Sequence, residues 1–365
     1  MKKIGFLQPS SSGHAIRGVG FYAKELLSSL LEIAPSHHLD IIPFQDKAPD
    51  DLDLIHYTYF DFFKNTLPLR KSTKTIVSIL DVIPLEYPQH YPAGIRGNVN
   101  LWLQKKSLEN VNHVITISEY SKNKISQLLK IKKDMITVTP LSAAPPIFKK
   151  ITDNKYLSQI KRKYLLPEKF VLYVGDVNWN KNLLGLTQGC LKAELPLVMV
   201  GKNALNMEQT LERHNIGPKD ILRKISGKPH PELESIKLWL DEYSNNNNIQ
   251  RLGFVPDDDL VGIYNLASVY CQASFVEGFG LPVLQALFTG TPVAASNTSS
   301  IPEIGADAII YFDPNDPNTI ASALHKIASD DNLRKTLSRK GTERAKVFSW
   351  KSTAALTTEV YLKTL

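Results

Sequence analysis

"FVEGFGLPVLQALFTGTPVAA", residues 275–295, decides how the rest of this 365-residue chain is read. A carboxylate, Glu277, precedes Gly278-Phe279-Gly280, and an apolar segment opens at Pro282. Proline suits a first helical turn, where its missing N–H would be unpaired anyway. Gly290 and Pro292 then end that helix. The preceding run Val269–Cys271 reads as a strand, so the stretch is strand, glycine turn and helix. Amides around Gly280 to Val283 then form a helix N-terminus carrying roughly half a positive charge. Glycines at 278 and 280 let a ligand approach the main chain, and an anion, specifically a diphosphate, is expected there. Glu277 is out of place beside an anion unless it serves another part of the same ligand.

Working outward, short apolar strands alternate with helix-length amphipathic segments. In the first half the strands read Lys3–Leu7, Leu39–Ile42, Leu54–Tyr57, Thr75–Ile79, His113–Ile117 and Met135–Val138. Ser118 stands where a helix N-cap belongs. Residues 140–168 interrupt the rhythm with early prolines, many charges and no strand candidate, and they read as a linker. The pattern restarts with Phe170–Val174, Leu197–Val200, Gln250–Phe254, Val269–Cys271, Pro292–Ala295 and Ile309–Phe312. The fold class is therefore α/β, with two parallel sheets of comparable size. The stretch 203–248 is long for one connection and reads as two helices and a polar loop. Ligands of open parallel sheets lie beyond the carboxyl ends of the strands, which directs attention to the loops there.

Composition bounds the function. Hydrophobic content of 43% and charged content of 22% suit a soluble globular protein. No apolar run approaches the roughly 18 residues of a membrane span. The N-terminus reads as a first strand rather than a signal peptide. Cys190 and Cys271 sit in apolar segments as buried thiols, consistent with a reducing cytoplasm. The net charge of +7 is uneven: residues 1–165 hold 23 Lys/Arg against 14 Asp/Glu, and the remainder holds 20 against 22. Basic clusters at Lys130–Lys133, Lys149-Lys150 and Lys161–Lys163 read as solvated surface, or as a face for an anionic membrane or a phosphate-bearing acceptor. No basic stripe with aromatic interleaving accompanies them, so nucleic acid is not expected.

Two further loops carry chemistry. After Phe170–Val174 comes "YVGDVNWNKNLLGL", which places Lys181 and Asn182 at a helix start. A lysine there is unfavourable unless an outside anion compensates it, and together with the 275–295 loop it forms a diphosphate clamp. After the first strand, Gly18-Val19-Gly20-Phe21-Tyr22-Ala23 matches a dinucleotide fingerprint but begins some ten residues too late for one. It reads instead as a glycine loop ahead of a helix, in moving contact with a substrate. Asp51-x-Asp53 reads as a solvated pair rather than a metal site, and no zinc-type His/Cys set is present.

At this point the sequence resembles the retaining glycosyltransferases of the GT-B fold, family four. The carrying motifs are Gly18-Val19-Gly20, "SILDVIPLEYP" at 78–88, "ITISEYSK" at 115–122, "LYVGDVNWNKNL" at 172–183, "LGFVPDDDL" at 252–260, the opening stretch, "SIPEIGADAIIYFDPND" at 300–316 and "FSWKSTAALTTEVY" at 348–361. The resemblance implies two facing Rossmann-like domains with an interdomain cleft. Residues 1–165 would bind the acceptor and residues 166–347 the nucleotide sugar, with 348–365 crossing back to the first domain. Carried over by position, Glu277 and Lys181 are the catalytic pair. Gly20, Asp176, Asn182, Val255, Gly278, Phe279, Gly280, Leu281 and Gln285 would bind the donor, and Gly18, Asp81 and Ser118 would lie on the acceptor side. The implied reaction moves a hexose from a nucleoside-diphosphate sugar to a glycan or lipid-linked acceptor in cell-surface polysaccharide synthesis. It would retain configuration and use neither metal nor cofactor, with mannose from a GDP donor preferred. The protein would be cytoplasmic, with peripheral contact to the inner membrane face.

Three positions depart from the family pattern. Gln285 replaces a glutamate that grips the ribose, a loss of roughly 1–2 kcal/mol in nucleotide binding. Asp176 stands where many members have arginine, and Leu80 replaces a histidine before Asp81. These departures keep a second reading open, a catalytically impaired homologue acting as a binding or scaffold protein. A sugar-nucleotide epimerase or a phosphorylase of the same fold is a third.

Overall fold

The computed structural model describes residues 1–9, 18–143, 147–213 and 231–365. All twelve expected strands form, each within two residues of its expected ends. They are β1 (Lys2–Leu7), β2 (Leu39–Phe44), β3 (Leu54–Tyr57), β4 (Lys74–Ser78), β5 (His113–Thr116), β6 (Ile136–Val138), β7 (Val171–Val174), β8 (Leu197–Val200), β9 (Ile249–Gly253), β10 (Val269–Gln272), β11 (Val293–Ser296) and β12 (Ile310–Phe312). Strands such as "HVIT" and "LVMV" are buried at every position, which is why they read as continuous apolar runs rather than alternating ones.

The chain divides into two compact units, Met1–Ser142 with Phe348–Leu365, and Ala143–Val347. In the first, the parallel sheet has the order β2-β1-β3-β4-β5-β6. Its core gathers Val77, Ile79, Val114 and Ile125. The C-terminal helix Trp350–Thr364 packs on the helix Gly18–Ile33, and Tyr361 reaches the buried His56 on β3. In the second unit, the parallel sheet has the order β12-β11-β10-β7-β8-β9. Progress along the sheet reverses between β7 and β10, so the crevice at their carboxyl ends is the switch point at which such sheets bind ligands. Val171, Tyr173, Leu186, Trp239, Cys271 and Leu324 build the core beneath it.

Three expectations need correction. The segment read as a linker contains the helix Asn154–Lys163, capped by Asp153. Its Ile160 is buried and its Tyr156 hydroxyl donates to the Asp258 carbonyl. The second unit therefore begins at Ala143 and runs to Val347, and the division falls before 165. Gly18 and Gly20 do not precede a helix but lie in its first turn; residues 10–17, which lead into it, are outside the described residues. The stretch 203–248 carries Lys202–Leu205, Met207–Arg213 and Pro231–Tyr243 as helices and ends in a polar loop at 244–248, while 214–230 lie outside the described residues.

Both cysteines are buried and free, and burial pushes both thiols up. Asp53 pairs with Lys2 at 2.8 Å and accepts from the Lys3 amide. Among the described residues no cluster of acidic, His and Cys side chains could hold a metal ion, and no helix is long and apolar enough to cross a membrane.

Candidate active site

Glu277 lies in the loop after β10 and Lys181 in the loop after β7, 96 residues apart in sequence. The fold brings them into a two-oxygen ion pair, with Nζ 2.8 Å from Oε1 and 2.9 Å from Oε2. Both side chains are largely buried, Lys181 at 18% exposure and Glu277 at 9%. Asn180 stitches the two loops together. Its carbonyl accepts from the Phe275 amide at 2.9 Å, and its side-chain amide donates to the Val276 carbonyl at 3.1 Å. Trp179 stacks on Phe275 across the same seam.

The Glu277 carboxylate is further oriented by residues the sequence did not single out. Gln272 donates to Oε1 at 2.8 Å and the Ser274 hydroxyl donates to the same oxygen at 2.6 Å. The Tyr270 hydroxyl donates to the other end of the Gln272 amide. Oε1 thus receives three donors, whereas among the described residues Oε2 receives only Lys181. The Tyr173 and Tyr270 hydroxyls stay protonated, raised first by burial and also by the charge of Glu277. In the sequence they stand as "CQASFVE", an amide at the end of an apolar strand and a hydroxyl just past it, with nothing to mark their direction.

Serines from the loop after β11 hold the backbone of the glycine turn. Ser299 accepts from the Glu277 amide, and Ser300 donates to the carbonyls of Glu277 and Phe279. The helix Leu281–Thr289 starts with Pro282 in its first turn and ends on Gly290, as expected. Gly280 adopts φ 108°, a conformation that side chains rarely tolerate, and no side chain caps this helix. The result is a helix N-terminus beside a lysine ammonium, an arrangement that can neutralise a leaving anion while the carboxylate faces a developing cation.

The remaining expected donor residues occupy the same unit, except Gly20, which lies in the first. Asn182 is the N-cap of Leu183–Lys192, accepting from Gly185 and donating to the Pro314 carbonyl, so its amide is tied into the fold at both ends. Asp176 accepts from Val177 and from the Asn203 amide. Gln285 accepts from the buried Tyr264 hydroxyl at 3.1 Å. The side chains of Val255 and Phe279 are buried, and Leu281 is half-buried at the helix start beside Gly278. In the first unit, Gly18 and Gly20 open the helix after β1. Asp81 accepts from the Ile83 amide in the loop after β4, and Ser118 caps the helix Glu119–Leu129 after β5. A separate cavity of about 460 Å³ lies at the carboxyl ends of β1, β2 and β3, with Tyr57, Tyr59, Asp46 and Asn65 on its walls.

The family model described as "Glycosyl transferases group 1" matches residues 158–344. The "O-antigen chain mannosyltransferase B" of Escherichia coli is 27% identical over 288 residues, covering 79% of this chain and 70% of that protein. The "Serotype-specific mannosyltransferase WbdA" of Escherichia coli is 25% identical over 300 residues, covering 80% of this chain but only 34% of that longer protein. Among solved structures, Anabaena HepE in complex with UDP and glucose superposes with a TM-score of 0.70 at 14% identity, over 100% of both chains. The family match covers just over half of the chain and falls on the unit whose loops join Lys181 to Glu277, so the protein belongs to the glycosyl transferases group 1 and is a glycosyltransferase of the GT-B fold.

Proposed function

We propose that this protein transfers a hexose from a nucleoside-diphosphate sugar to a glycan or lipid-linked acceptor during polysaccharide synthesis, with mannose as the donor sugar and with retention of configuration. The observation that carries this reading is the buried Lys181–Glu277 pair beside the helix N-terminus at the switch point of the second sheet. As the glycosidic bond breaks, negative charge collects on the departing diphosphate. The Lys181 ammonium has a third N–H left for it, and the helix amides add donors that need no reorganisation. Positive charge develops on the sugar ring, where Glu277 stabilises it. In this reading no metal ion is required, because a fixed cation and the main chain already neutralise the leaving group. The mannose preference is supported by the two mannosyltransferases among the relatives. The cavity at β1–β3, with tyrosine faces and amide and carboxylate groups, suits an acceptor saccharide.

Incubation with GDP-mannose and other nucleotide sugars, with chelator present, tests the reading. Slow release of nucleoside diphosphate is expected, abolished by Glu277→Ala and reduced at least about tenfold by Lys181→Ala. Gln285→Glu is expected to tighten nucleotide binding by restoring a charged acceptor. A wild-type protein that neither turns over nor binds any nucleotide would favour the scaffold reading instead.

A further inference from the structure

The helix Gly94–Leu108 of the first unit is apolar on its outer face as well as on part of its inner one. Its inner face sets Leu101 and Leu108, which pack on the core, among polar groups: Gln104 donates to the Lys64 carbonyl, Ser107 to the Leu67 carbonyl at 3.0 Å, and Asn100 to the Phe63 carbonyl at 2.7 Å. Its solvent face carries Ile95, Val99 and Trp102, exposed by 74, 55 and 60%. These three are spaced i, i+4 and i+7, so they form one stripe opposite the buried face. A surface helix ordinarily keeps its outer face polar. Satisfying Gln104, Ser107 and Asn100 inside the protein does nothing to explain the apolar stripe outside it.

The charges around the stripe say what covers it. The helix contains no acidic residue, while Arg96, Lys105 and Lys106 are all exposed. Arg96 and Lys105 flank the stripe and make no ion pair among the described residues. Lys106 extends it by one turn and pairs with Glu109 only at the solvent surface. Glu86, on the short helix Ile83–Glu86, is engaged by Lys124 and the Tyr120 hydroxyl. Alongside runs a depression of about 400 Å³ of mixed lining, with Phe63, Leu85, Tyr91 and Leu101 beside Asn98 and Lys105 on its walls. An aromatic and two aliphatic side chains framed by cations match a bilayer interface with anionic headgroups.

We propose that the helix Gly94–Leu108 docks the first unit onto an anionic lipid surface, with Trp102, Val99 and Ile95 entering the interface and Arg96, Lys105 and Lys106 meeting the headgroups. The reading concerns a surface and no step of glycosyl transfer, so its failure would leave the proposed reaction standing.

Co-sedimentation of the full chain with phosphatidylglycerol-containing vesicles, against pure phosphatidylcholine vesicles, tests it. Wild-type protein is expected to sediment with the anionic vesicles only, and to be released as salt is raised. Ile95→Ser/Val99→Ser/Trp102→Ser and Arg96→Glu/Lys105→Glu are each expected to weaken partitioning at least about tenfold. All five positions are exposed, so melting curves and release of nucleoside diphosphate from a soluble donor should stay at wild-type levels. In brominated lipid, quenching of tryptophan emission should be present in the wild type and lost in Trp102→Phe. Vesicle binding that the triple serine variant retains would overturn the proposal, as would a wild type that ignores anionic vesicles at low salt. Stripe-dependent dimerisation without vesicle binding would also overturn it, assigning the face to a second copy of the chain.

Discussion

At the scale of single residues, the arrangement around Glu277 separates two jobs that one carboxylate must perform. Oε1 is saturated by Lys181, Gln272 and Ser274, which fixes the plane of the group. Oε2, held only by Lys181, is the oxygen with capacity left for a sugar. Ser274 touches no reacting atom in this scheme and acts by positioning. A charge-assisted hydrogen bond of this kind contributes roughly 1.5–3 kcal/mol, some of which shows as misorientation when it is lost. Ser274→Ala is therefore expected to lower kcat by about tenfold while leaving KM for the nucleotide sugar nearly unchanged. Ser274→Thr, which keeps the hydroxyl, should retain most of the rate. A proportional rise in KM at constant kcat would show that the serine serves ground-state binding instead. Lys181 and Glu277 were legible in the sequence because each is a charged residue in a place that rejects it without a partner. Gln272 and Ser274 were not, since an amide and a hydroxyl at the end of an apolar strand give no sign of where they point.

At the scale of elements, helix starts show why the glycine turn differs from its neighbours. Ser118, Asp153, Asn182, Asp316, Asp330 and Ser349 each cap a helix with a side-chain oxygen. The helix Leu281–Thr289 alone among these longer ones begins on a glycine, at the place where an anion is proposed to sit. Asn182 has a double duty, since it caps Leu183–Lys192 while adopting φ 51°. Asn182→Ala loses both the cap and a residue tolerant of that conformation, and urea unfolding is expected to show a loss of about 1–2 kcal/mol in stability. Asn182→Gly loses the cap but suits the backbone, so it should cost less than the alanine. Equal losses would mean that positive φ carries no strain there. The strands and the proline and glycine stops of the Leu281 helix were readable, because burial on both faces and the chemistry of Pro and Gly act locally. The helix Asn154–Lys163 was hidden by its charges: only Ile160 and its neighbours fasten it, too thin an apolar signal against the surrounding prolines and lysines.

At the scale of the whole chain, the C-terminal helix is fastened to the first sheet by a contact between residues 305 apart, which no local pattern announces. His56 Nδ1 lies 2.7 Å from the Tyr361 hydroxyl and Nε2 lies 2.8 Å from Ser78, which also meets Tyr22. Burial lowers the imidazole to about 3 and keeps it neutral, one nitrogen donating and the other accepting. In the unfolded chain the ring titrates near its ordinary value of about 6.5. Protons then bind the unfolded chain preferentially between those two values. The contribution of this network is fully present above about pH 6.5 and falls as the pH drops toward 3, by at most about 1.4 kcal/mol per pH unit. His113, lowered mainly by burial, adds a change of the same sign. Urea unfolding at pH 7.5 and pH 5 should therefore show a loss of ~2 kcal/mol attributable to His56. His56→Gln, which keeps hydrogen-bonding capacity but cannot titrate in this range, should remove that part of the loss at the cost of lower stability at neutral pH. Tyr361→Phe should lower stability at neutral pH by about 1–3 kcal/mol, because it strands a buried ring nitrogen. If wild type and His56→Gln lose the same stability between the two pH values, the imidazole is not the group that couples this helix to acid.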